Sequence, residues 1–146
     1  MVVPAAIRTA ARIRRPDSGR MEVLLVEDEV LISMTLAEEL ADAGFDVTEA
    51  STAEAAMAAL AATAEAALPP PILVTDMNLG GDMDGLALVA ELRRRWPEAG
   101  AVVTTTRYPP DLDMRRRDPR EVWLVKPFGP LRLTATVHQL MDRSRH

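Results

Sequence analysis

Short apolar runs alternate with helix-like patterns five times along this chain of 146 residues. Five runs are too short for buried helices and predict strands: 21–26, 45–50, 72–75, 101–105 and 121–125. Apolar residues recur at helical spacing in the segments between them. Strands that alternate with helices in this way predict an α/β domain built on a parallel sheet.

Four helices are predicted between and after these strands: 30–41, 52–67, 85–95 and 131–142. Gly44 is placed to end the first helix, and Ser51 or Thr52 to cap the second. The segment 109–119 contains several prolines and three consecutive arginines. Because proline interrupts helical hydrogen bonding, any fourth helix in this segment is expected to be short.

Residues 1–20 differ in charge from the rest of the chain, since they hold five arginines and one aspartate. They end in the turn-rich sequence Pro-Asp-Ser-Gly. We therefore predict a disordered basic tail or linker over 1–20 and a folded domain over 21–146. A basic amphipathic helix is the alternative for the tail.

The composition excludes several classes of protein. With no cysteine and only two histidines, the chain cannot form disulfides, thiol nucleophiles or a multi-histidine zinc site. No apolar run approaches the roughly 18 residues of a membrane span, and no secretory signal is evident. Residues 21–146 are acidic, which argues against a nucleic-acid surface. We expect a cytoplasmic protein with no nucleic-acid or membrane partner.

Polar residues stand at the carboxyl ends of four predicted strands. Glu27 and Asp28 follow the first strand, Asp76 follows the third, threonines 104–106 end the fourth, and Lys126 follows the fifth. Lys126 is the only lysine among 17 basic residues. In an open parallel sheet these ends meet at one crevice, where clustered carboxylates need a compensating cation. Carboxylates with a lysine and a hydroxyl predict a Mg²⁺-dependent phosphoryl-transfer site.

Each of these residues also has a simpler interpretation when it is taken alone. An aspartate after a strand is commonly a helix cap, and the acidic run 27–29 could favour the first helix through its dipole. The threonines could be present for their strand propensity. These interpretations do not explain why four strands end in polar groups and the single lysine follows the fifth.

Taken together, four segments resemble the receiver domain of two-component response regulators: LLVEDE (24–29), VTDMNLGGDMDG (74–85), VVTTTRYP (102–109) and LVKPF (124–128). The resemblance covers 21–142, and the order and intervals of the segments match the family. It implies a flavodoxin-like, doubly wound parallel sheet of five strands in the order 2-1-3-4-5, with a short fourth helix.

The resemblance also implies a role for particular residues. Asp76 corresponds to the phosphate acceptor, and Asp28 to the principal Mg²⁺ ligand with Glu27 beside it. The main-chain carbonyl of Asn78 would complete the metal site. Lys126 corresponds to the lysine that pairs with the phosphoryl group, and the bond to Pro127 is a candidate cis peptide.

Two further positions correspond to the family's switch. Thr106 matches the hydroxyl residue that turns toward the phosphoryl group, and Trp123 stands at the position of the aromatic switch residue. Arg107 departs from the small residue that usually follows the threonine. We expect Arg107 at the mouth of the crevice, where it would modulate phosphate loading and loss. The alternative is that Arg107 points into solvent without effect.

Two other departures concern the acidic pocket and its loop. Glu27 replaces the more common aspartate, a change that should preserve metal binding. The loop after Asp76 is one residue longer than usual and lacks the usual proline, so its path is not predicted.

These features predict a stand-alone receiver that is phosphorylated by a sensor histidine kinase or a histidine phosphotransfer protein. It would signal to a downstream protein through a phosphorylation-dependent surface, and it would not be a dedicated enzyme. The alternative is a constitutive protein-interaction module that no longer uses the phosphate switch. Asn78 argues against an aspartyl-phosphate phosphatase, which would need an aspartate there. A P-loop nucleotidase is excluded because no glycine-rich loop precedes Lys126.

Overall fold

The computed structural model describes residues 7–9 and 22–144. The strands of this part of the chain are β1 Ile7–Thr9, β2 Val23–Val26, β3 Val47–Ala50, β4 Ile72–Asp76, β5 Ala101–Thr105 and β6 Glu121–Val125. The helices are α1 Val30–Asp42, α2 Ala53–Glu65, α3 Gly85–Arg95 and α4 Pro130–Ser144. A 3₁₀ turn, Met114–Arg116, lies between β5 and β6.

The strands form one sheet in the order β1-β3-β2-β4-β5-β6. Strands β2 to β6 are parallel, and their order confirms the predicted 2-1-3-4-5 arrangement. Val26, the last residue of β2, pairs with Ala50 on one side and Thr75 on the other. The strands on both sides of β2 therefore end at nearly the same level, which brings their following residues to one edge of the sheet.

Strand β1 was not predicted. Ile7 lies opposite Ala50 and Thr9 opposite Thr48, in an antiparallel pair with β3. The prediction of a disordered tail over 1–20 is therefore wrong for these three residues, and the other residues of that segment lie outside the described part. A physical reason is that β3 is the outermost parallel strand, so its free edge offers unpaired backbone groups to any short β-prone segment.

The parallel strands are buried on both faces of the sheet. Val23 and Leu25 pack with α1 and α4, whereas Leu24 and Val26 pack with α2 and α3. Successive side chains of a strand point to opposite faces, so β2 contributes to both cores in turn. This two-faced burial explains why its sequence reads as a continuous apolar run rather than an alternating one.

The helix boundaries follow from local capping chemistry. The Thr52 hydroxyl accepts a hydrogen bond from Ala55 N at the start of α2, which confirms one of the two predicted caps. Asp84 caps α3 in the same way by accepting from Ala87 N. Gly44, beyond the end of α1, has a φ of 98°, a left-handed conformation that favours glycine.

The predicted short fourth helix is the three-residue turn Met114–Arg116. Prolines at 109, 110 and 119 flank it and limit helical hydrogen bonding. Within the described residues, none of the helices combines the length and the apolar character that crossing a membrane requires.

Gly85 fixes the return of the chain from β4 to α3. Its amide donates a hydrogen bond of 2.9 Å to the Met77 carbonyl. A Cβ atom at this position would lie 2.3 Å from the Asp76 carbonyl oxygen. Only glycine therefore allows α3 to begin directly against the backbone of Asp76.

We predict that Gly85→Ala lowers the free energy of unfolding by about 1–3 kcal/mol, because the added methyl group must displace a β-strand backbone. Urea denaturation followed by circular dichroism measures this change. Gly81→Ala is the matched control, since a Cβ there meets nothing within 4 Å. Equal stability of the two variants would contradict the close approach.

Candidate functional site

Three carboxylates meet at the carboxyl edge of the sheet. Glu27 and Asp28 follow β2, and Asp76 is the last residue of the neighbouring strand β4. Each of the three offers a carboxylate oxygen, and these oxygens all lie within 4.8 Å of one another. Glu27 is buried, Asp76 is partly buried and Asp28 is exposed. The sheet register thus brings together the acidic residues that the sequence predicted to converge.

Lys126 supplies a positive charge to this cluster. Its Nζ donates hydrogen bonds to Asp76 Oδ2 at 2.7 Å and to Glu27 Oε1 at 3.1 Å. Lys126 follows β6, which is separated from β4 by β5, so its long side chain reaches back across the sheet edge. One ammonium group therefore links the carboxylates at the ends of β2 and β4.

Burial and hydrogen bonding act in opposite directions on these charges. Burial raises the pKa of Glu27 above its ordinary value, and hydrogen bonds from the Glu29 amide and Lys126 offset only part of that rise. Burial alone would lower the pKa of Lys126, but its hydrogen bonds to Asp76 and Glu27 outweigh burial and raise it. The lysine therefore remains charged at neutral pH.

The donor set suits a hard divalent cation. Oxygen ligands from a few carboxylates, with the remaining positions left to water, are what Mg²⁺ prefers. Glu27, Asp28 and Asp76 could hold such an ion. Their combined negative charge exceeds the single charge of Lys126, so a cation would lower the repulsion that remains. The residues present thus fit the predicted Mg²⁺ site.

The long loop after Asp76 is held at three points. The backbone N–H of Asn78 donates a 3.0 Å hydrogen bond to Asp76 Oδ1. Leu79 is buried in the core formed with α2 and α3. Gly80 has a φ of 62°, and a Cβ there would lie 3.3 Å from Asp28 Oδ2. Gly80 thus lets the loop pass close to Asp28 without the proline that the family usually has.

Thr106 and Arg107 follow β5 at the same edge. Both are exposed, and the Thr106 side chain makes no hydrogen bond to another described residue. The Thr105 hydroxyl instead holds this turn, donating to the Arg107 carbonyl at 2.8 Å and accepting from the Arg107 amide at 3.2 Å. The roles of Thr106 and Arg107 in phosphate chemistry therefore stay predictions.

Lys126 directly follows β6, and its backbone amide donates a hydrogen bond of 2.7 Å to the Thr105 carbonyl. The Lys126–Pro127 peptide is cis, as the resemblance implied. Since Thr105 and Val125 are register partners, Thr106 and Lys126 leave neighbouring strands at the same level.

Trp123 lies in β6 and is buried among the side chains on the α3 side of the sheet. Its Nε1 donates a 2.8 Å hydrogen bond to Glu121 Oε2. The ring of Tyr108 is 6.3 Å from it, centroid to centroid, and tilted by 54°. The indole thus connects the core to the segment that follows Thr106.

Glu121 is a polar centre that the sequence did not single out. Its buried carboxylate accepts hydrogen bonds from Arg117, from Arg93 on α3 and from Trp123. The sequence does carry one indication of this centre. Glu121 stands two positions before Trp123 in a buried strand, so both side chains lie on the same face of the sheet. Burial would raise the pKa of Glu121, but these hydrogen bonds lower it below its ordinary value.

We predict that Glu121→Gln lowers the free energy of unfolding by about 2 kcal/mol at neutral pH, because two guanidinium groups lose a buried counter-charge. A group whose pKa is lowered by folding contributes stability above its unfolded pKa, near 4.5, and loses it as the pH falls through its folded value. The difference between parent and variant should therefore shrink in acid.

Urea denaturation at several pH values measures this difference. Glu98→Gln is the control, since the Glu98 side chain is 86% exposed and its Oε1 lies 4.0 Å from Arg120 Nη2, too far for a hydrogen bond. A pH-independent difference for Glu121→Gln would show that the carboxylate charge is not what stabilises the cluster.

A doubly wound sheet with an acidic pocket and one lysine at its carboxyl edge defines a class of signalling domains, the receivers. Residues 23–138 match the family model described as the response regulator receiver domain. This match spans most of the chain, and the protein belongs to that family.

Two curated relatives are similar over most of this chain. The transcriptional regulatory protein AruR of Pseudomonas aeruginosa is 34% identical over 125 residues, which cover 85% of this chain and 50% of AruR. The sensor kinase CckA of Brucella abortus is 31% identical over 128 residues, covering 86% of this chain and 13% of CckA. The chain therefore spans half or less of the length of these relatives.

Solved receiver structures share the fold. A response regulator receiver protein from Sinorhizobium medicae superposes with a TM-score of 0.72 at 26% identity, covering 82% of this chain and 93% of that one. The receiver domain of NtrX from Brucella abortus gives 0.67 at 30% identity, with 82% and 98% covered.

Proposed function

We propose that this receiver is phosphorylated on Asp76 in the presence of Mg²⁺ by a sensor histidine kinase or a histidine phosphotransfer protein. The observation that carries the proposal is Lys126 Nζ at 2.7 Å from Asp76 Oδ2 and 3.1 Å from Glu27 Oε1. This arrangement pairs a nucleophilic carboxylate with a cation and leaves acidic ligands beside it.

In the proposed transfer, an Asp76 carboxylate oxygen forms a bond to phosphorus as the bond to the donor's imidazole nitrogen breaks. The leaving imidazole keeps the electron pair of that bond. Lys126 offsets the negative charge on the phosphoryl oxygens, and the Asn78 amide orients Asp76 through Oδ1. Bound Mg²⁺ would supply further charge neutralisation at the acidic cluster.

The start of α1 offers a contact surface for the phosphate donor. Val30, Leu31 and Met34 have exposures of 58%, 79% and 47%, although they are apolar. They follow the acidic run 27–29 in the chain, so this apolar patch adjoins the acidic cluster. Exposed apolar patches beside a reactive site are typical of protein contact surfaces. The patch supports transfer from a protein rather than from a small molecule alone.

Phosphorylation would signal by shifting a two-state surface. In the unphosphorylated form Thr106 is exposed and Trp123 is buried beside Tyr108. We propose that Thr106 turns toward the phosphoryl group and that Trp123 responds, so that a downstream protein recognises the changed face. The protein would then act as a switch rather than as a dedicated enzyme, with phosphate lost by hydrolysis.

The second candidate function is a constitutive interaction module of the same fold. Two features favour it: the exposed Arg107 stands where the family has a small residue, and an arginine-rich turn replaces the fourth helix. Phosphate uptake distinguishes the two functions.

We predict that Asp76→Asn abolishes phosphate uptake from acetyl phosphate and Mg²⁺, because the amide is neither a nucleophile nor a metal-binding carboxylate. Intact-mass spectrometry measures the added phosphoryl group. Asp111→Asn is the control, an equal change of charge at an exposed position. Uptake by Asp76→Asn equal to that of the parent would reject this acceptor, and no uptake by the parent would favour the constitutive module.

We predict that beryllofluoride with Mg²⁺ changes the fluorescence of Trp123 in a Trp96→Phe background, which removes the other tryptophan. The expected cause is a change in the contacts of the indole with Glu121 and Tyr108. Unchanged fluorescence, with beryllofluoride binding established by ¹⁹F NMR, would exclude Trp123 from the switch.

A further inference from the structure

Arginine residues are concentrated in two segments that Glu121 links through its hydrogen bonds with Arg93 and Arg117. The last turn of α3 and the segment before β6 carry seven of the 17 basic residues in the sequence: Arg93, Arg94, Arg95, Arg115, Arg116, Arg117 and Arg120. We call this set the arginine face. Each of the seven pairs with a carboxylate, and the acidic partners are five: Glu91, Glu98, Asp113, Asp118 and Glu121. The arginines therefore outnumber their partners here, although the chain as a whole has a net charge of −5.

A cleft of about 280 Å³ opens within the arginine face, between α3 and the turn Met114–Arg116. Leu86 and Val89 provide apolar side chains along its α3 side. Three arginines, Arg93, Arg116 and Arg117, line it together with the carboxylates of Asp118 and Glu121, so positive groups outnumber negative ones. The cleft therefore combines an apolar wall with positive charge, and its volume suits a few side chains rather than a large ligand.

Arg93 has hydrogen-bonding capacity that its neighbours leave unused. Its Nη1 donates to Glu121 at 3.1 Å, whereas Nε and Nη2 are buried without a hydrogen bond. Nε lies 3.6 Å from Asp118 Oδ2, beyond good hydrogen-bond distance. Buried donors without partners are costly, and a carboxylate in the cleft would satisfy them if the Arg93 guanidinium turned toward it.

Arg116 stands at the outer side of the same cleft. Its side chain is 88% exposed and lies 3.7 Å from Asp113, an ion pair too exposed to hold it firmly. Arg116 can therefore turn to an incoming anionic group, so that two guanidinium groups from different segments would meet one carboxylate.

We propose that this cleft docks an acidic segment of a partner protein, with one carboxylate on Arg93 and Arg116 and an adjacent apolar side chain against Leu86. The apolar wall and the interspersed acidic residues Asp113 and Asp118 favour a protein over the uniformly charged backbone of a nucleic acid. The inference rests on the proposed function in one respect, that the partner is a protein that receives the signal.

Glu121 connects this docking cleft to the proposed switch, because it accepts hydrogen bonds from both Arg93 and Trp123. A carboxylate that binds Arg93 would compete with Glu121 for the same guanidinium. Occupation of the cleft and the position of Trp123 are therefore linked, and linkage requires each to affect the other.

The test is a titration of the full chain with a short fluorescein-labelled peptide of alternating glutamate and leucine, followed by fluorescence anisotropy. Arg116→Gln and Arg93→Lys should each weaken binding by about tenfold through loss of charge-assisted hydrogen bonds. Arg93→Lys keeps the charge beside Glu121, so it limits the loss of folding stability. Arg94→Gln, on the same helix but paired with Glu91, should bind like the parent.

Three outcomes would overturn the proposal. If Arg94→Gln lost as much peptide affinity, the effect would come from overall charge rather than from the cleft. If a single-stranded DNA of similar length bound more tightly than the peptide, the arginine face would be a nucleic-acid surface. If inorganic phosphate displaced the peptide at a concentration close to the Kd of the peptide, the cleft would be a simple anion site. Repeating the titration with Asp76→Asn separates the two proposals, because docking to the unphosphorylated cleft should persist even if Asp76 is not the acceptor.

Discussion

The ammonium group of Lys126 lies between two carboxylates that the sheet forces together. Glu27 and Asp76 reach this position because β2 and β4 are neighbours that end at nearly the same level. Without a cation, their charges would oppose the register that buries the apolar strands beneath them. The lysine satisfies both, and it comes from a strand on the far side of β5. The acidic pocket therefore depends on the complete sheet rather than on a local motif.

A second charged centre, around Glu121, lies at the start of β6, the strand that Lys126 directly follows. The two centres use opposite arrangements. At the sheet edge one lysine donates to two carboxylates, whereas on the α3 side of the sheet one carboxylate accepts hydrogen bonds from two arginines and a tryptophan. Because Glu121 begins β6 and Lys126 directly follows its last residue, a displacement of this strand would change both sets of hydrogen bonds. The fold thus connects the acidic pocket and the arginine face through one strand.

Much of this arrangement could be predicted from the sequence. The apolar runs and helical periodicity define the five parallel strands and four helices, and the polar residues at the strand ends identify Glu27, Asp28, Asp76 and Lys126. These signals are local, and the rule that parallel strands present their carboxyl ends together extends them to a site. The particular strand order and the cis peptide came from the family resemblance instead.

Other features depend on contacts that no local pattern encodes. Strand β1 is too short to show a period, and it forms only because β3 offers a free edge. The route of the loop after Asp76 depends on the burial of Leu79 and on the approach of Gly80 to Asp28. In the sequence Glu121 has no feature that marks it as a charged centre beyond its spacing from Trp123. Its role depends on hydrogen bonds from Arg93 on α3 and from Arg117 in the segment before β6, which only the fold brings to it.

The antiparallel pairing of β1 has a consequence for how copies of this domain can associate. With β1 along β3, one side of the sheet is closed by a short strand of reversed direction, and its three residues offer little length for further backbone pairing. On the opposite side, β6 has only β5 as a partner among the described residues. Growth of the sheet across molecules, whether as a regulated dimer or as unwanted aggregation, is therefore directed to the β6 side.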